Sequence, residues 1–182
     1  VYSGRDVRPA VQTAVRATRG EVLLHEGKSF PAFFHSTCGG RTTSPGVALG
    51  RPEFDFLAGV DCAFCAASPH FRWQTRLTGA QLARRLRAAG EDVGVVTDIV
   101  IADSTSGPRR VAVTGSDGSR TLTIVDFRRI VGRMEVRSGE FACVREGDAF
   151  VFSGRGLGHG AGMCQWGAKG MAHTGAVSET TA

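Results

Sequence analysis

The sequence contains no run of about 18 apolar residues, so no segment reads as a membrane-spanning helix. It does not open with a signal peptide either. It starts at Val1 rather than at an initiator methionine, so it reads as beginning after processing or inside a larger protein, and the missing signal carries no information about location. There is no internal repeat, no helix-turn-helix signature and no interleaving of aromatic and basic residues, which together exclude the usual nucleic-acid readers. At 42% hydrophobic and 21% charged, with mean hydropathy −0.05, the composition also excludes disordered, collagen-like and coiled-coil chains. The 182 residues are enough for one well-buried core.

What is present begins with charge. The formal balance is +5, and basic residues gather in Arg84-Arg85-Leu86-Arg87, Arg109-Arg110 and Arg128-Arg129. Each cluster fits a solvated surface, and the net excess favours an anionic partner: nucleic acid, acidic lipid or bacterial wall polymer.

Tyr2 to Val15 reads as a turn-rich entry and a short helix, followed by strands Glu21–His25 and Phe30–Phe34 joined at Gly27. Cys38 to His70, rich in Gly, Pro, Ser and Cys, reads as one long irregular segment. A helix is predicted over Thr78–Ala89, with Thr78 capping, Gln81 three residues on, Leu82 and Leu86 on one face and Gly90 as the stop. Strands are predicted over Val95–Ala102, Arg110–Thr114 and Ser119–Ile124, with Asp117-Gly118 turning the hairpin. A helical turn over Asp126–Val131, strands Phe141–Val144 and Ala149–Ser153, and a helix within Gly162–His173 complete the pattern. Strands and helices mix without a βαβ rhythm. The expected fold is therefore α+β: a single mixed domain of several short strands, a few helices and a long Cys/Gly-rich irregular segment.

Gly154-Arg-Gly-Leu-Gly-His-Gly-Ala-Gly162 places five glycines in nine residues. A dinucleotide cradle is rejected, because too little sequence follows for the second strand and the ribose-binding acid. The longer string Gly154 to Ala172, which includes Met163-Cys-Gln-Trp-Gly-Ala-Lys169, resembles the terminal signature of the SpoIID/LytB family. Phe33-Phe-His-Ser-Thr-Cys-Gly-Gly-Arg-Thr42 resembles that family's other hallmark block. Ala14-Val15, Thr18-Arg-Gly-Glu-Val-Leu23, Phe56-Leu-Ala-Gly-Val60, Ser68-Pro-His-Phe-Arg-Trp73 and Asp126-Phe-Arg-Arg-Ile-Val-Gly132 fit as well, so the resemblance covers nearly the whole of residues 1–182.

The resemblance implies action on peptidoglycan glycan strands outside the cytoplasm, in the bacterial envelope or secreted, with a signal or anchor upstream. Sporulation members are lytic transglycosylases: they cut between N-acetylmuramic acid and N-acetylglucosamine and leave a 1,6-anhydro end. The LytB branch implies a non-catalytic wall-binding or amidase-enhancing module, with a cell-wall amidase or other hydrolase as partner. The family's acid is a glutamate in a Glu-Ala-Leu-Lys-Ala-Gln-Ala-like string, which does not occur here, so the domain is expected to lack its catalytic helix at the N-terminus and to stop short at the C-terminus. Glu21, Glu26, Glu53, Asp55 and Asp61 are weak substitutes. The substrate-binding residues that the matching motifs nominate are His35, Ser36, Thr37, Gly39, Gly40, His159 and Gln165, while Trp166 fits a core position better than a sugar platform.

Of the five cysteines, Cys62-x-x-Cys65 followed by His70 has ligand-like spacing. Cys38 and Cys164 fall inside the two hallmark blocks, which should meet, so Cys38, Cys62, Cys65 and Cys164 are expected to converge on a structural zinc with His70 in reserve. Disulfides and buried free thiols remain open. Cys143, in an apolar strand pattern, reads as core.

Overall fold

Two helix starts show how the chain is punctuated. Thr78 Oγ1 accepts from the Gln81 amide at 3.2 Å while Gln81 Oε1 accepts from the Thr78 amide at 2.8 Å, the reciprocal capping box the sequence predicts. Thr123 repeats half of the device, its hydroxyl accepting from the Asp126 amide at 3.1 Å. The computed structural model of the chain describes residues 8–102 and 107–175. The start of the expected entry turn and the polar tail from Val177 lie outside the described residues.

The chain divides into two compact units, Val1–Ala32 and Phe33–Ala182. The first holds α1 (Pro9–Ala17) and a two-residue hairpin of β1 (Leu24–His25) and β2 (Lys28–Ser29). Glu26 and Gly27 both take positive φ, 50° and 75°, as the tight turn between twisted strands requires. The strand expected over Phe30–Phe34 does not continue this hairpin. Pro31 lacks an N–H to extend the ladder, and Phe34 pairs elsewhere.

The second unit carries β3 (Phe34–His35), α2 (Pro45–Leu49), β4 (Arg72–Thr78), α3 (Gly79–Ala88), β5 (Val96–Ala102), β6 (Arg110–Gly115), β7 (Gly118–Thr123), α4 (Ile124–Val131), β8 (Phe141–Glu146), β9 (Ala149–Arg155), β10 (Met163–Cys164) and α5 (Gln165–His173). Strands β4-β9-β8 form one antiparallel sheet, β5-β6-β7 a second, and β3 pairs in parallel with β10. The α+β expectation holds. The β6–β7 turn falls one residue earlier than expected, on Ser116 and Asp117, because Gly115 pairs with Gly118 and the Ser116 and Asp117 amides donate to Val95 and Val93. Ile124 begins a helix rather than ending a strand, since Thr123 caps it.

The core gathers the inner faces of both three-stranded sheets with α3 and α4. Phe127, Phe141 and Phe152 pack with ring centroids 5.8–6.2 Å apart, and Leu82, Leu86, Val111 and Val113 are fully buried around them. Burial of this kind contributes about 1.5–3 kcal/mol per large side chain. Trp73 joins the edge of this core, its indole N–H donating to Ser138 Oγ at 3.2 Å.

Candidate functional site

The two motif blocks that stand more than a hundred residues apart in the chain meet through backbone. β3 and β10 align Phe34 with Met163 and His35 with Cys164. The Thr37 and Leu157 amides donate to each other's carbonyls at 3.1 and 2.8 Å, and the Trp166 amide donates to the Ser36 carbonyl at 3.0 Å. Such an approach explains the glycine string. A Cβ at Gly162 would lie 2.2 Å from the Phe33 carbonyl oxygen, and one at Gly156 would lie 2.5 Å from that of Thr37; both residues also take positive φ. The glycines at these two positions admit the neighbouring strand.

Cys38, Cys62, Cys65 and Cys164 converge, their sulfurs all within 4.8 Å of one another. Cys38 and Cys164 come from the two motif blocks, while Cys62 precedes and Cys65 ends a short 3-10 turn at Ala63–Cys65 in the otherwise irregular segment. The cluster forms a small core with Phe71 and Trp166 packed against it. The Cys38 thiol, 3.4 Å from Cys65 Sγ, is pushed up by burial and by sharing its proton with the neighbouring sulfur. Burial also opposes ionisation of Cys65, but hydrogen bonds from Cys38 and from the Gly40 and Gly39 amides prevail and hold its thiol below the ordinary range. The Cys38 and Gly167 amides each donate to Cys164 Sγ at 3.2 Å. Four sulfurs at metal-binding distance, with backbone N–H groups aimed at them, are compatible with a structural metal. His70 is outside this group; its Nδ1 lies 3.4 Å from the Arg137 guanidinium.

A cleft of about 1160 Å³ runs beside the cluster. Of the sequence-nominated residues, Thr37, Gly39, Gly40 and His159 line it, whereas His35, Ser36 and Gln165 do not. Several of these side chains are bound internally. His35 is only 4% exposed, and its ring N–H at Nδ1 donates to the Ala161 carbonyl at 3.0 Å, leaving Nε2 without a partner. Burial depresses its pKa, with the nearby His159 ring adding to the effect against the Ala161 bond. Thr37 Oγ1 is 2.7 Å from Ser68 Oγ. His159 Nδ1 accepts from the Ala161 amide at 3.1 Å, and burial lowers its pKa too, opposed by a hydrogen bond to the Phe34 backbone and assisted by the Arg128 charge. Trp166 is half-buried against the sulfurs rather than in the main core, with the Lys169 ammonium 4.7 Å over its ring.

The cleft also draws on residues that sequence reading passed over. Arg41, Arg72, Arg109, Arg128 and Arg155 line it, against two carboxylates, Asp61 and Glu140. Arg128, read from sequence as part of a solvated pair, is 9% exposed, and donates to the Val136 and Arg137 carbonyls at 2.9 and 2.5 Å. Burial, together with the neighbouring Arg133 charge, lowers its pKa to about 10. Its place on the buried side of an amphipathic α4, next to Phe127 and four residues after Ile124, was the available signal. As for the carboxylates, Asp61 binds Arg41 at 2.6 Å with its side chain 84% exposed, and Glu140 is exposed. Glu53 pairs with Arg51 at 2.5 Å, and Asp55 accepts from the Gly46 amide at 2.7 Å.

Fold and site together define an α+β domain in which four thiols, two of them from the two motif blocks, gather beside an arginine-lined cleft. The chain belongs to the family described as "Domain of unknown function (DUF8618)", whose model matches residues 56–162. It is also similar to an uncharacterised protein of Brachyspira hyodysenteriae, with 32% identity over 94% of this chain and 46% of the relative. Stage II sporulation protein D of Bacillus subtilis is 28% identical over 91% of this chain and 46% of its own length. The amidase enhancer of Bacillus subtilis is 22% identical over 96% of this chain and 31% of its own length. The chain thus spans less than half the length of these relatives. Among the described residues no helix is long and apolar enough to cross a membrane.

Proposed function

We propose that this chain is the strand-holding part of a SpoIID/LytB-type peptidoglycan lytic transglycosylase acting outside the cytoplasm. One observation carries the reading. The two blocks that resemble the family's hallmarks meet along β3 and β10, and both contribute residues to the same cleft, in a chain similar over nine-tenths of its length to relatives named for sporulation and for amidase enhancement. A lytic transglycosylase needs one carboxyl that protonates the glycosidic oxygen and then takes the proton from the muramic acid hydroxyl attacking its own anomeric carbon. Asp61 is exposed and ion-paired and Glu140 is exposed, so neither has the apolar setting that such an acid requires. The reading therefore assigns the acid to a glutamate outside residues 1–182. This chain's own part is to present Thr37, Gly39, Gly40 and His159 along the cleft.

The thiol cluster fits a structural zinc held by Cys38, Cys62, Cys65 and Cys164. All four groups are soft donors, and the Cys38 and Gly167 amides supply outer hydrogen bonds of the kind such thiolates take. A bound zinc would tie the irregular segment to both motif blocks.

The exposed setting of Asp61 and Glu140 favours a second reading, a non-catalytic wall-binding module that works with a cell-wall amidase. Both readings are tested by incubating purified glycan strands with the chain, then measuring bound strands by sedimentation and chain ends by mass spectrometry. Binding without new 1,6-anhydro ends is expected. Such ends produced by this chain alone would place the acid within residues 1–182, and absence of binding would refute the strand-holding role.

A further inference from the structure

The ladder between β4 and β9 sets Arg72 directly opposite Arg155. Directly opposed residues on antiparallel strands project to the same face with Cβ atoms about 5 Å apart, and like charges there destabilise the pair. Both arginines are exposed and both line the cleft. Neither makes an ion pair with a carboxylate among the described residues, although Arg41, nearby in the same lining, is paired with Asp61. The arrangement is also held rigidly against the first motif block. A Cβ on Gly39 would lie 2.6 Å from the Arg155 Cβ, and the Gly156 amide donates to the Phe71 carbonyl, fixing the backbone beside both arginines. Arg128 adds a buried positive charge to the same lining with only carbonyl partners.

We propose that Arg72 and Arg155 form a subsite for a carboxylate carried by the glycan strand: the lactyl carboxylate of a muramic acid residue whose stem peptide is absent. This inference rests on the strand-holding reading above. Two unpaired guanidiniums carried on directly opposed residues can both reach a single planar anion through charge-assisted hydrogen bonds. A phosphate polymer would instead need a track of unpaired cations, and Arg41 is already taken by Asp61. In peptide-bearing strands the lactyl group is an amide, so it has neither the charge nor the second acceptor oxygen.

The test measures affinity of the whole chain for four probes: peptide-free glycan strands, the same strands with carboxylates converted to methylamides, peptide-bearing strands, and free teichoic acid. Peptide-free strands are expected to bind about tenfold tighter than the amidated or peptide-bearing ones. That margin should shrink as salt rises. The double variant Arg72→Gln, Arg155→Gln should lose the margin between native and amidated strands, with a thermal midpoint no lower than that of the unaltered chain, since it removes a like-charge pair. The comparison of native with amidated strands needs no variant, so it stands even if the variant folds poorly. Equal binding of native and amidated strands would overturn the subsite and leave the strand-holding role intact. Failure of every glycan probe to bind would overturn both. Peptide-bearing strands or teichoic acid binding as tightly, with the same dependence on the two arginines, would overturn the lactyl assignment.

Discussion

Replacing Cys65 by serine is the perturbation that most directly tests the thiol cluster. Cys65 is fully buried, its sulfur lies 3.4 Å from that of Cys38, and all four sulfurs fall within 4.8 Å. A tetrahedral zinc at about 2.3 Å from each sulfur has sulfur–sulfur edges of about 3.8 Å, so closing the cluster needs shifts of only about 1 Å. A metal present at about a thousandfold above its dissociation constant stabilises the folded state by about 4 kcal/mol. For a chain of this size that is a rise of roughly 8–16 °C in thermal midpoint. The assay is metal content by mass spectrometry, with thermal unfolding measured with and without chelator. The unaltered chain should hold one zinc and lose that increment on chelation. Cys65→Ser should bind less than one equivalent and melt near the chelated chain. Cys143→Ser is the matched control: that thiol packs against the main core on β8, pushed up to about 12 by burial and by the Asp98 charge, so metal content should not change. A chain that takes up no metal on titration with zinc, with a midpoint indifferent to chelator, would refute the reasoning.

Three further perturbations follow from the same geometry. Gly162→Ala puts a Cβ 2.2 Å from the Phe33 carbonyl at a φ of +70°, so it should cost roughly 2–4 kcal/mol in chemical unfolding, and a cost below 1 kcal/mol would show that β3 and β10 separate easily. Arg128→Met removes the donors to the Val136 and Arg137 carbonyls and should lower stability by about 1–3 kcal/mol with an unchanged denaturant slope; an unchanged midpoint would mean that those carbonyls do not depend on the guanidinium. His159 has its folded pKa held below the ordinary value of 6.5, so the unfolded chain binds the proton more readily; its contribution is complete above pH 6.5 and falls away as the pH drops toward the folded pKa. His159→Gln should therefore flatten part of the stability loss below about pH 6.5, measured as the difference in unfolding free energy between the two chains, and parallel curves would refute this.

Much of the framework was legible because it depends on local chemistry. Thr78 with Gln81, the leucines of α3 and the β-branched runs of β5 and β6 each satisfy a local rule, and the structure follows them. The convergence of four cysteines was legible by a different route, since two of them sit in blocks expected to meet. What escaped depends on register and burial. Nothing in the sequence says that Arg72 faces Arg155, because that needs the alignment of β4 with β9 over eighty residues. The buried role of Arg128 was masked by its neighbour Arg129, which is exposed, so the pair read as one solvated patch. Phe34 looked like the end of a hairpin strand, and only long-range pairing with Met163 moves it into the site.

The thiol cluster and the cleft are one mechanical unit, and this separates two kinds of binding defect. Gly39 follows the cluster residue Cys38 directly in the chain and abuts the Arg155 side chain, so the backbone that carries a cluster sulfur also seats one arginine of the pair. Loss of the cluster should therefore lower stability and glycan affinity together, for every glycan probe alike, because it releases the cleft wall. Loss of the two guanidiniums should lower affinity only for strands bearing free carboxylates, with no fall in thermal midpoint. If chelation instead weakened the carboxylate-bearing strands alone, the cluster would be acting on the anion directly, and the separation of scaffold from contact drawn here would fail. Comparing the chelated chain with Arg72→Gln, Arg155→Gln on the same set of strands decides between these outcomes.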